Sequence, residues 1–179
     1  TSEYAFADDA YKLLTSVAKF VLKAIRNDGY IGQRYALSGE EKSIYKQEDN
    51  NAHGMIILSH FLLTAKQRRE EVQDIADYLF AINSAALYAI KNYYHPEINL
   101  FHSTTSIHES AIEEGFSCWT NFAYLKAFFL VSKVNRELDE PDIIPDKLLL
   151  FEAAFKHNLF GIMVSNNRFL RRIDQKGNY

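Results

Sequence analysis

The fold of this chain is decided by residues 51–66, which read NAHGMIILSHFLLTAK. A helix built from this segment is apolar on nearly every side, with large side chains on overlapping faces at Ile56, Ile57, Phe61 and Leu62. Such a helix is normally buried on all sides, so the segment predicts an inner helix surrounded by other elements. Asp49 and Asn50 precede it, at positions where residues that cap a helix are preferred.

Four further helices are predicted outward from this segment by apolar residues that recur at intervals of three and four. They cover residues 9–27, 70–93, 118–134 and 146–158. The segment 118–134 is also apolar on most sides, whereas 9–27 and 70–93 keep a polar face. The segment 70–93 opens on acidic residues, as the helix dipole prefers. In the tail, Asn166 and Asn167 predict the turn of a short β-hairpin.

Two long stretches lack a helical period, at residues 30–50 and 95–115. Each leads from a half-polar helix to an apolar one. If the half-polar helices form an outer layer and the apolar helices an inner layer, both connections lie on one rim. The sequence therefore predicts an all-α domain of paired helices over residues 1–179, with two unstructured connections that meet at one edge.

Composition limits the classes of partner. The net charge is -3 and basic residues are scattered singly, so a nucleic-acid surface is not expected. Cys118 is the only cysteine, which excludes an internal disulfide and favours a reducing compartment, the cytoplasm. No apolar run approaches the ~20 residues that cross a bilayer, and the start has no signal-peptide pattern. Thr1 in place of Met suggests a processed or excised piece of a longer protein.

The two connections resemble a known family, the family-15 glycoside hydrolases or glucoamylases. The first connection contains YKQEDNNAHGMI at 45–56, which is similar to a family loop that holds a Gln-x-Asp element before an inner helix. The second contains SIHESAIEEGFSCWTNFAYLKAF at 106–128, which resembles the family's Trp-Glu-Glu signature before another inner helix. DGYIGQRYALSG at 28–39 and FGIMVSNNRFLRRID at 160–174 extend the likeness over nearly the whole chain.

The resemblance implies part of an (α/α)6 toroid with an oligosaccharide or α-glucan site on its rim and no cofactor. It also implies hydrolysis of α-glucosidic bonds with inversion, which needs a carboxylic acid and a carboxylate base held roughly 6.5 to 9.5 Å apart. Matching the signature places the general acid on Glu109, with Glu113 and Glu114 as runners-up. His108 stands where the family has Trp, and Ser110 where it has a second Glu.

The resemblance further implies that Gln47, Asp49 and His108 bind sugar, and the chemistry of aromatic rings adds Tyr35 and Trp119 as stacking surfaces. Exposed aromatic faces suit the C–H patches of pyranose rings, and Tyr30 and Tyr45 offer the same chemistry. Each assignment has a structural alternative. Asp49 is the expected N-cap of an apolar helix, Trp119 suits a core position, and Glu113 and Glu114 suit a charged first helical turn.

Other chemistry is less well supported by the sequence. His102 and His108 lack the spacing of metal ligands on one helical face, so no metal site is expected. Cys118 has no histidine and aspartate that the sequence pairs with it, so a structural role is expected.

The family's remaining catalytic parts, including the base, have no matching positions in the 179 residues. Five helices do not close a ring of twelve, so the inner helices would expose apolar flanks. We expect these flanks to be covered by remaining toroid segments or by self-association. The alternative function is a non-catalytic helical module for carbohydrate binding or subunit association, and an unrelated helical repeat array is a third possibility.

Overall fold

The computed structural model describes residues 2–105, 112–138 and 145–174. Over these ranges the chain forms five helices: α1 Ser2–Ala24, α2 Asn50–Arg68, α3 Ile75–Asn92, α4 Cys118–Leu138 and α5 Pro145–Met163. Seven short strands accompany them: β1 Tyr94–His95, β2 Leu100–Phe101, β3 Ser103–Thr105, β4 Ile112–Ser117, β5 Val164–Ser165, β6 Arg168–Phe169 and β7 Arg172–Ile173. The prediction of a mainly helical chain is thereby confirmed.

The inner layer consists of α2 and α4, which pack side by side. The first residues of α2 and α4 meet at one end, where Trp119 bonds Asp49, and Lys66 contacts Glu137 at the other. These two helices therefore run in the same direction. α1 and α3 pack against α2, and α5 packs against α4, so these three form the outer layer.

The core lies mainly between the two layers. At its centre the ring of Phe101 stacks on Tyr124 with centroids 3.9 Å apart and meets Phe155 edge-on at 5.3 Å. Met55 and Leu58 of α2 are fully buried. The expectation that α2 is enclosed by other elements is confirmed, because most of its residues are buried on several faces.

Several helix boundaries differ from the predicted ones, and α5 ends at Met163 rather than at residue 158. α1 begins earlier and ends at Ala24 rather than at residue 27. α3 begins at Ile75 rather than at residue 70, because the preceding residues complete the end of α2. Arg69 adopts the left-handed conformation, and the Glu70 amide donates to the Ala65 carbonyl in a Schellman-type bond. Glu70 therefore belongs to a helix end and not to an acidic first turn.

The second connection is not the unstructured loop that the sequence predicts. β1 and β2 form one antiparallel hairpin, and β3 and β4 form another that β7 extends into a three-stranded sheet. β1, β2 and β3 have only two or three residues each, which is too short to produce a recognisable alternation. The tail hairpin is confirmed: β5 pairs with β6, and Asn166 and Asn167 both have positive φ, as a type I′ turn requires.

Several large apolar side chains are exposed on the outer surfaces, with Phe80, Leu87, Phe129 and Phe160 among them. None of the described helices combines the length and the apolar character needed to cross a membrane.

Candidate functional site

The two long connections meet where they enter the inner helices, as the alternation of helix types predicts. The Thr104 hydroxyl of β3 donates to Glu48 Oε1 over 2.6 Å, across a separation of 56 residues. The Tyr124 hydroxyl of α4 donates to the main-chain carbonyl of Glu48. The end of the first connection is therefore held by one residue of the β3–β4 hairpin and by one residue of α4. We call this edge the rim and define it by Gln47, Glu48, Asp49, His53, Thr104 and Trp119.

Asp49 is the centre of the rim. It occupies the N-cap position of α2, yet its side chain makes no capping hydrogen bond. Instead Oδ2 accepts a hydrogen bond of 2.8 Å from Trp119 Nε1, and His53 Nε2 lies 3.4 Å away. The interpretation of Asp49 as a plain N-cap is therefore wrong, because its carboxylate joins α2 to α4.

Asp49 is only 4% exposed, and its surroundings favour the charged carboxylate. Burial is the largest single influence and raises the pKa of Asp49, but hydrogen bonds and charge from His53, Trp119 and Gln47 together outweigh it. The pKa of Asp49 is consequently lowered from its ordinary value. A carboxylate held in this way accepts hydrogen bonds at neutral pH and is unsuited to donate a proton.

Trp119 lies at the second position of α4 and is 51% exposed. The expectation that it belongs to the core is wrong. Its indole N–H is fixed by Asp49 while half of its surface remains open to solvent. The imidazole of His53 lies beside it, with ring centroids 6.2 Å apart and planes inclined by 47°.

Two buried asparagines hold the rim in place. The side chain of Asn51 accepts from the amide of Ile31 and donates to the carbonyls of Gly29 and Ala85. The side chain of Asn121 accepts from the Phe101 amide at 2.7 Å and donates to the carbonyls of Phe101 and Ser117.

The two asparagines occupy equivalent places. Each bonds the main chain of a residue 20 positions earlier, in the connection that precedes its helix. Asp49 and Trp119 stand two positions before them and are 70 residues apart, as the asparagines also are. The starts of α2 and α4 are thus fastened to the preceding connections in the same way, and the hydrogen bond between Asp49 and Trp119 joins equivalent positions of the two repeats.

The β3–β4 side of the rim carries a cluster of aromatic and imidazole rings. His102 lies 5.4 Å from His95 and 5.5 Å from Phe116, measured between ring centroids. Burial and, to a smaller extent, His95 lower the pKa of His102. Its Nε2 atom is buried and has no hydrogen-bond partner among the described residues, and the same holds for Asn50 Nδ2 at the start of α2.

The remaining residues singled out from the sequence fall into three groups. Glu109 and His108, with Ser110, lie outside the described residues. Glu113 and Glu114 belong to β4, where Glu114 is exposed and Glu113 is described only in its main chain. Gln47 is half-buried beside Asp49.

The tyrosines are engaged elsewhere. The Tyr35 hydroxyl accepts from the Gly32 amide over 2.6 Å and donates to the Ala24 carbonyl, so it braces the end of α1. Tyr30 packs against Tyr88 with centroids 5.5 Å apart. The described contacts do not bring Tyr35 to Asp49.

Sequence reasoning missed Glu48, His53 and Thr104. A signal for His53 was present, because position 53 follows Asp49 by one helical turn and an aspartate–histidine pair at that spacing lies on one face. Glu48 and Thr104 had no such signal, since their contact depends on a hairpin that the sequence did not reveal. Across the described ranges, no group of three histidine, cysteine or acidic side chains is placed to hold a metal ion.

Comparison with known proteins gives no relative: no protein-family model, no curated protein and no solved structure matches this chain. The assignment of function therefore depends on the geometry of the rim and on the motifs that form it.

Proposed function

We propose that the rim binds an oligosaccharide or an α-glucan, and that the chain is the central part of a glucoamylase-like, inverting glycoside hydrolase. The single observation that carries the proposal is the bridge from Asp49 to Trp119. It sets a buried carboxylate and a half-exposed indole side by side where both motif-bearing connections end. Carboxylates that accept hydroxyl hydrogen bonds and aromatic faces that accept C–H patches are the two groups that recognise a pyranose ring.

The shared fastening of the two inner helices supports the proposed (α/α)6 toroid. Asn51 of α2 and Asn121 of α4 are 70 residues apart and bond the preceding connections in the same way, and α5 packs against α4 as the outer helix of a following pair would. Parallel inner helices with antiparallel outer partners are the arrangement that a ring of such pairs needs. Exposed apolar side chains such as Phe129 and Phe160 provide faces for the remaining segments or for a second copy.

The proposed chemistry divides the carboxylates by role. Asp49 has a lowered pKa and is bonded to Trp119, so it fits sugar binding and not proton donation. We assign the general acid to Glu109. The strand ends that flank its segment, Thr105 and Ile112, are paired with each other, and Thr104 is bonded to Glu48. The segment that carries Glu109 therefore leaves and re-enters the described structure at the rim.

Inversion also needs a carboxylate that activates water from the opposite side of the sugar ring. We assign this base to a residue outside the 179 positions, and we expect the chain alone to bind saccharide without hydrolysing it.

The test is an assay of maltooligosaccharide hydrolysis by the polypeptide that the complete reading frame encodes. Glu109→Gln is expected to reduce kcat by at least a factor of about 100, since general acid catalysis contributes on that order. The matched control is Glu97→Gln, an exposed carboxylate in the β1–β2 turn, which is expected to leave kcat unchanged. Unchanged activity in the Glu109→Gln protein would exclude Glu109 as the acid, and Glu113→Gln and Glu114→Gln would then be compared.

A non-catalytic carbohydrate-binding module is the second candidate. It is favoured by the engagement of both described buried carboxylates of the rim, since Glu48 is bonded to Thr104 and Asp49 to Trp119. This function predicts saccharide binding by the complete polypeptide with no turnover of any α-glucoside. Release of glucose from maltooligosaccharides would contradict it.

A further inference from the structure

An apolar stripe runs along the outer helix α1 and is formed by Ala10, Leu13, Val17 and Phe20. We infer that this stripe is an interface at which two copies of the chain associate, with their α1 helices packed side by side in antiparallel orientation. The self-association expected from the sequence concerned the flanks of the inner helices, whereas this stripe lies on the outer layer. The interface does not depend on a saccharide site at the rim.

The stripe lies on a side of α1 that its own chain leaves open. Leu13 is 66% exposed, Val17 36% and Phe20 38%, and their spacing of four and three residues sets them on one face of the helix. The opposite flank of α1 is the one that borders α3, since Thr15 lines a recess together with Tyr78. Adjacent apolar side chains of this size on one exposed face are typical of a surface that binds a partner.

The apolar surface continues onto the tip of the first connection, residues 37–39. Leu37 is fully exposed and borders a recess of about 340 Å³ together with Ser16 and Phe20 of α1. The ring of Phe20 is held beside this recess, because it meets Tyr35 edge-on with centroids 5.9 Å apart. The stripe and the tip therefore form one surface with a hollow that receives a side chain of a partner.

The sizes of the side chains along the stripe favour a second copy as the partner. The four positions are separated by intervals of three, four and three residues, the spacing of helices that pack along a shared seam. In an antiparallel pair related by a two-fold axis, opposite ends of the seam face each other. Ala10 then lies opposite Phe20 of the second copy, and Leu13 lies opposite Val17. Each layer of the seam thus joins a larger side chain to a smaller one, as close packing requires.

The charges beside the stripe are also self-complementary. Asp9, Ser16 and Lys23 are exposed and stand seven residues apart, so they form a row along one border of the seam. The antiparallel pair sets Asp9 beside Lys23 of the second copy at both ends and leaves the small Ser16 at the centre. Lys12 lies 3.3 Å from Asp9, but both side chains are 76% exposed, and such pairs contribute little. A parallel pair would instead place like charges together.

The competing occupant of the stripe is a segment of a longer polypeptide that precedes Thr1. Such a segment needs an apolar face, but nothing requires it to match the order of acidic and basic residues along α1. A second copy matches that order because it carries the same row in the opposite direction. The two occupants differ in whether the 179-residue chain forms a dimer by itself.

The experiment is sedimentation equilibrium of the full chain from about 1 μM to about 500 μM, the range in which modest interfaces dissociate. A reversible equilibrium between monomer and dimer is expected. Leu13→Glu should weaken the dimer at least about a hundredfold, because each dimer loses two leucines from the seam and gains two charges in it. Leu37→Ser, at the exposed tip, should weaken it about threefold.

Leu87→Glu is the matched control for Leu13→Glu. Leu87 is 49% exposed on α3, the other outer helix that packs on α2, and its replacement should leave the dimer as strong as that of the unmodified chain. Circular dichroism melting curves of both glutamate variants should superimpose on each other at a concentration where the chains are monomeric, because both positions are exposed.

Charge reversal tests the antiparallel orientation. Asp9→Lys and Lys23→Asp should each weaken the dimer about tenfold at low ionic strength, since both contacts between these residues in the dimer become repulsive. The chain that carries both changes should return to within about threefold of the unmodified one, because the pairing is restored with its signs exchanged. Loss of a role inside α1 alone would not be rescued in this way.

Each outcome decides one part of the inference. A chain that stays monomeric at the highest concentration would overturn the interface and assign the stripe to another segment. A dimer that survives Leu13→Glu would show that the copies meet elsewhere. A doubly reversed chain that remains as weak as the single variants would overturn the antiparallel orientation. Hydrolysis of maltooligosaccharides and its loss in Glu109→Gln are measured separately, so failure of the proposed function is distinguishable from failure of the interface.

Discussion

The connection before α2 and the connection before α4 are built on the same plan but differ in what they contribute. Both are fastened by a buried asparagine near the start of the following helix, Asn51 in one and Asn121 in the other. Two positions earlier the first repeat has Asp49 and the second has Trp119. The scaffold is thus duplicated, whereas the two side chains that face each other across it are chemically different and complementary.

The connections also differ in how they are supported. The first, residues 25–49, has one isolated antiparallel β-bridge, between Tyr35 and Glu41. In the same connection Gly29 packs directly against the main chain of α3. The second, residues 93–117, is organised by the hairpins β1–β2 and β3–β4. The first connection is therefore held in place by a few close contacts of its main chain, whereas the second is held by hydrogen bonds between paired strands.

The largest expected effect is at Gly29, in the first connection. A Cβ atom added there would lie 2.1 Å from the Ser84 carbonyl oxygen, and the residue has a φ of +90°. Gly29→Ala should lower the free energy of unfolding by at least roughly 3 kcal/mol, as the sum of left-handed strain and overpacking.

The matched control for Gly29 is Gly39→Ala. Gly39 has nearly the same φ, +89°, but nothing lies within 4 Å of the added atom, so a loss of only about 1 kcal/mol is expected. Urea denaturation followed by circular dichroism measures both. Equal losses for the two variants would contradict the close packing of the first connection on α3.

The next largest effect is expected at the two buried asparagines, Asn121 and Asn51. Asn121→Ala removes three hydrogen bonds to buried main-chain groups and should cost about 3 kcal/mol. Asn51→Ala should cost somewhat less, because two of its three bonds, at 3.2 and 3.3 Å, are longer.

Asn92→Ala is the control for both clamp variants, since its exposed amide bonds only the Tyr88 carbonyl in the same helix. It should change the free energy of unfolding by less than about 0.5 kcal/mol. If Asn51→Ala or Asn121→Ala were as stable as Asn92→Ala, the hydrogen bonds of that asparagine would not hold its connection to the following helix.

A smaller effect is expected at the bond that joins the repeats. Asp49→Asn keeps the shape of the side chain but removes its charge, and should cost about 1 to 2 kcal/mol at pH 7. The pKa of Asp49 is lowered in the folded state, so the stability due to its charge is present above the ordinary pKa of 3.8 and is lost as pH falls through the lower folded pKa.

The difference between Asp49→Asn and the unmodified chain should therefore shrink as pH falls below 3.8, which denaturation curves at a series of pH values will measure. Asp77→Asn in the exposed first turn of α3 is the control, with an expected change within about 0.5 kcal/mol. A constant difference down to the lowest pH would contradict the charged state of Asp49.

The smallest effect concerns His60, on the face of α2 that looks toward α4. Burial first, and then the charges of Lys126 and Lys133, lower the pKa of His60 from its ordinary value of 6.5. The unfolded chain thus takes up the proton more readily, so this residue makes stability fall as pH decreases below 6.5.

Lys133→Met should raise the pKa of His60, as NMR titration of its ring protons will show. Lys91→Met, on the exposed side of α3, is the control and should leave the titration unchanged. A titration of His60 that is identical in both variants would contradict the electrostatic contact between α2 and α4.

The sequence was informative where one side chain or one period decides the structure. The nearly all-apolar segment at 51–66 predicted the inner helix. Asn166 and Asn167 predicted the tail turn, because a two-residue type I′ turn needs positive φ at both positions and asparagine tolerates it. The placement of both connections on one rim followed from the alternation of half-polar and apolar helices.

The remaining features depend on contacts between distant residues. The bond from Thr104 to Glu48 spans 56 residues and that from Trp119 to Asp49 spans 70, and no local pattern records either. For the same reason the structural alternatives for Asp49 and Trp119, an N-cap and a core position, were wrong. In each case a tertiary partner replaced the local preference.

The response of the single indole N–H to saccharide tests the proposed sugar site most directly. In a ¹⁵N–¹H spectrum of the full chain, Trp119 gives one indole cross-peak. We predict that titration with maltotriose moves this cross-peak saturably, and that the movement is lost in Asp49→Asn. An indole cross-peak that stays in place while saccharide is bound, or that moves equally in Asp49→Asn, would contradict a sugar site built on the bridge between the two repeats.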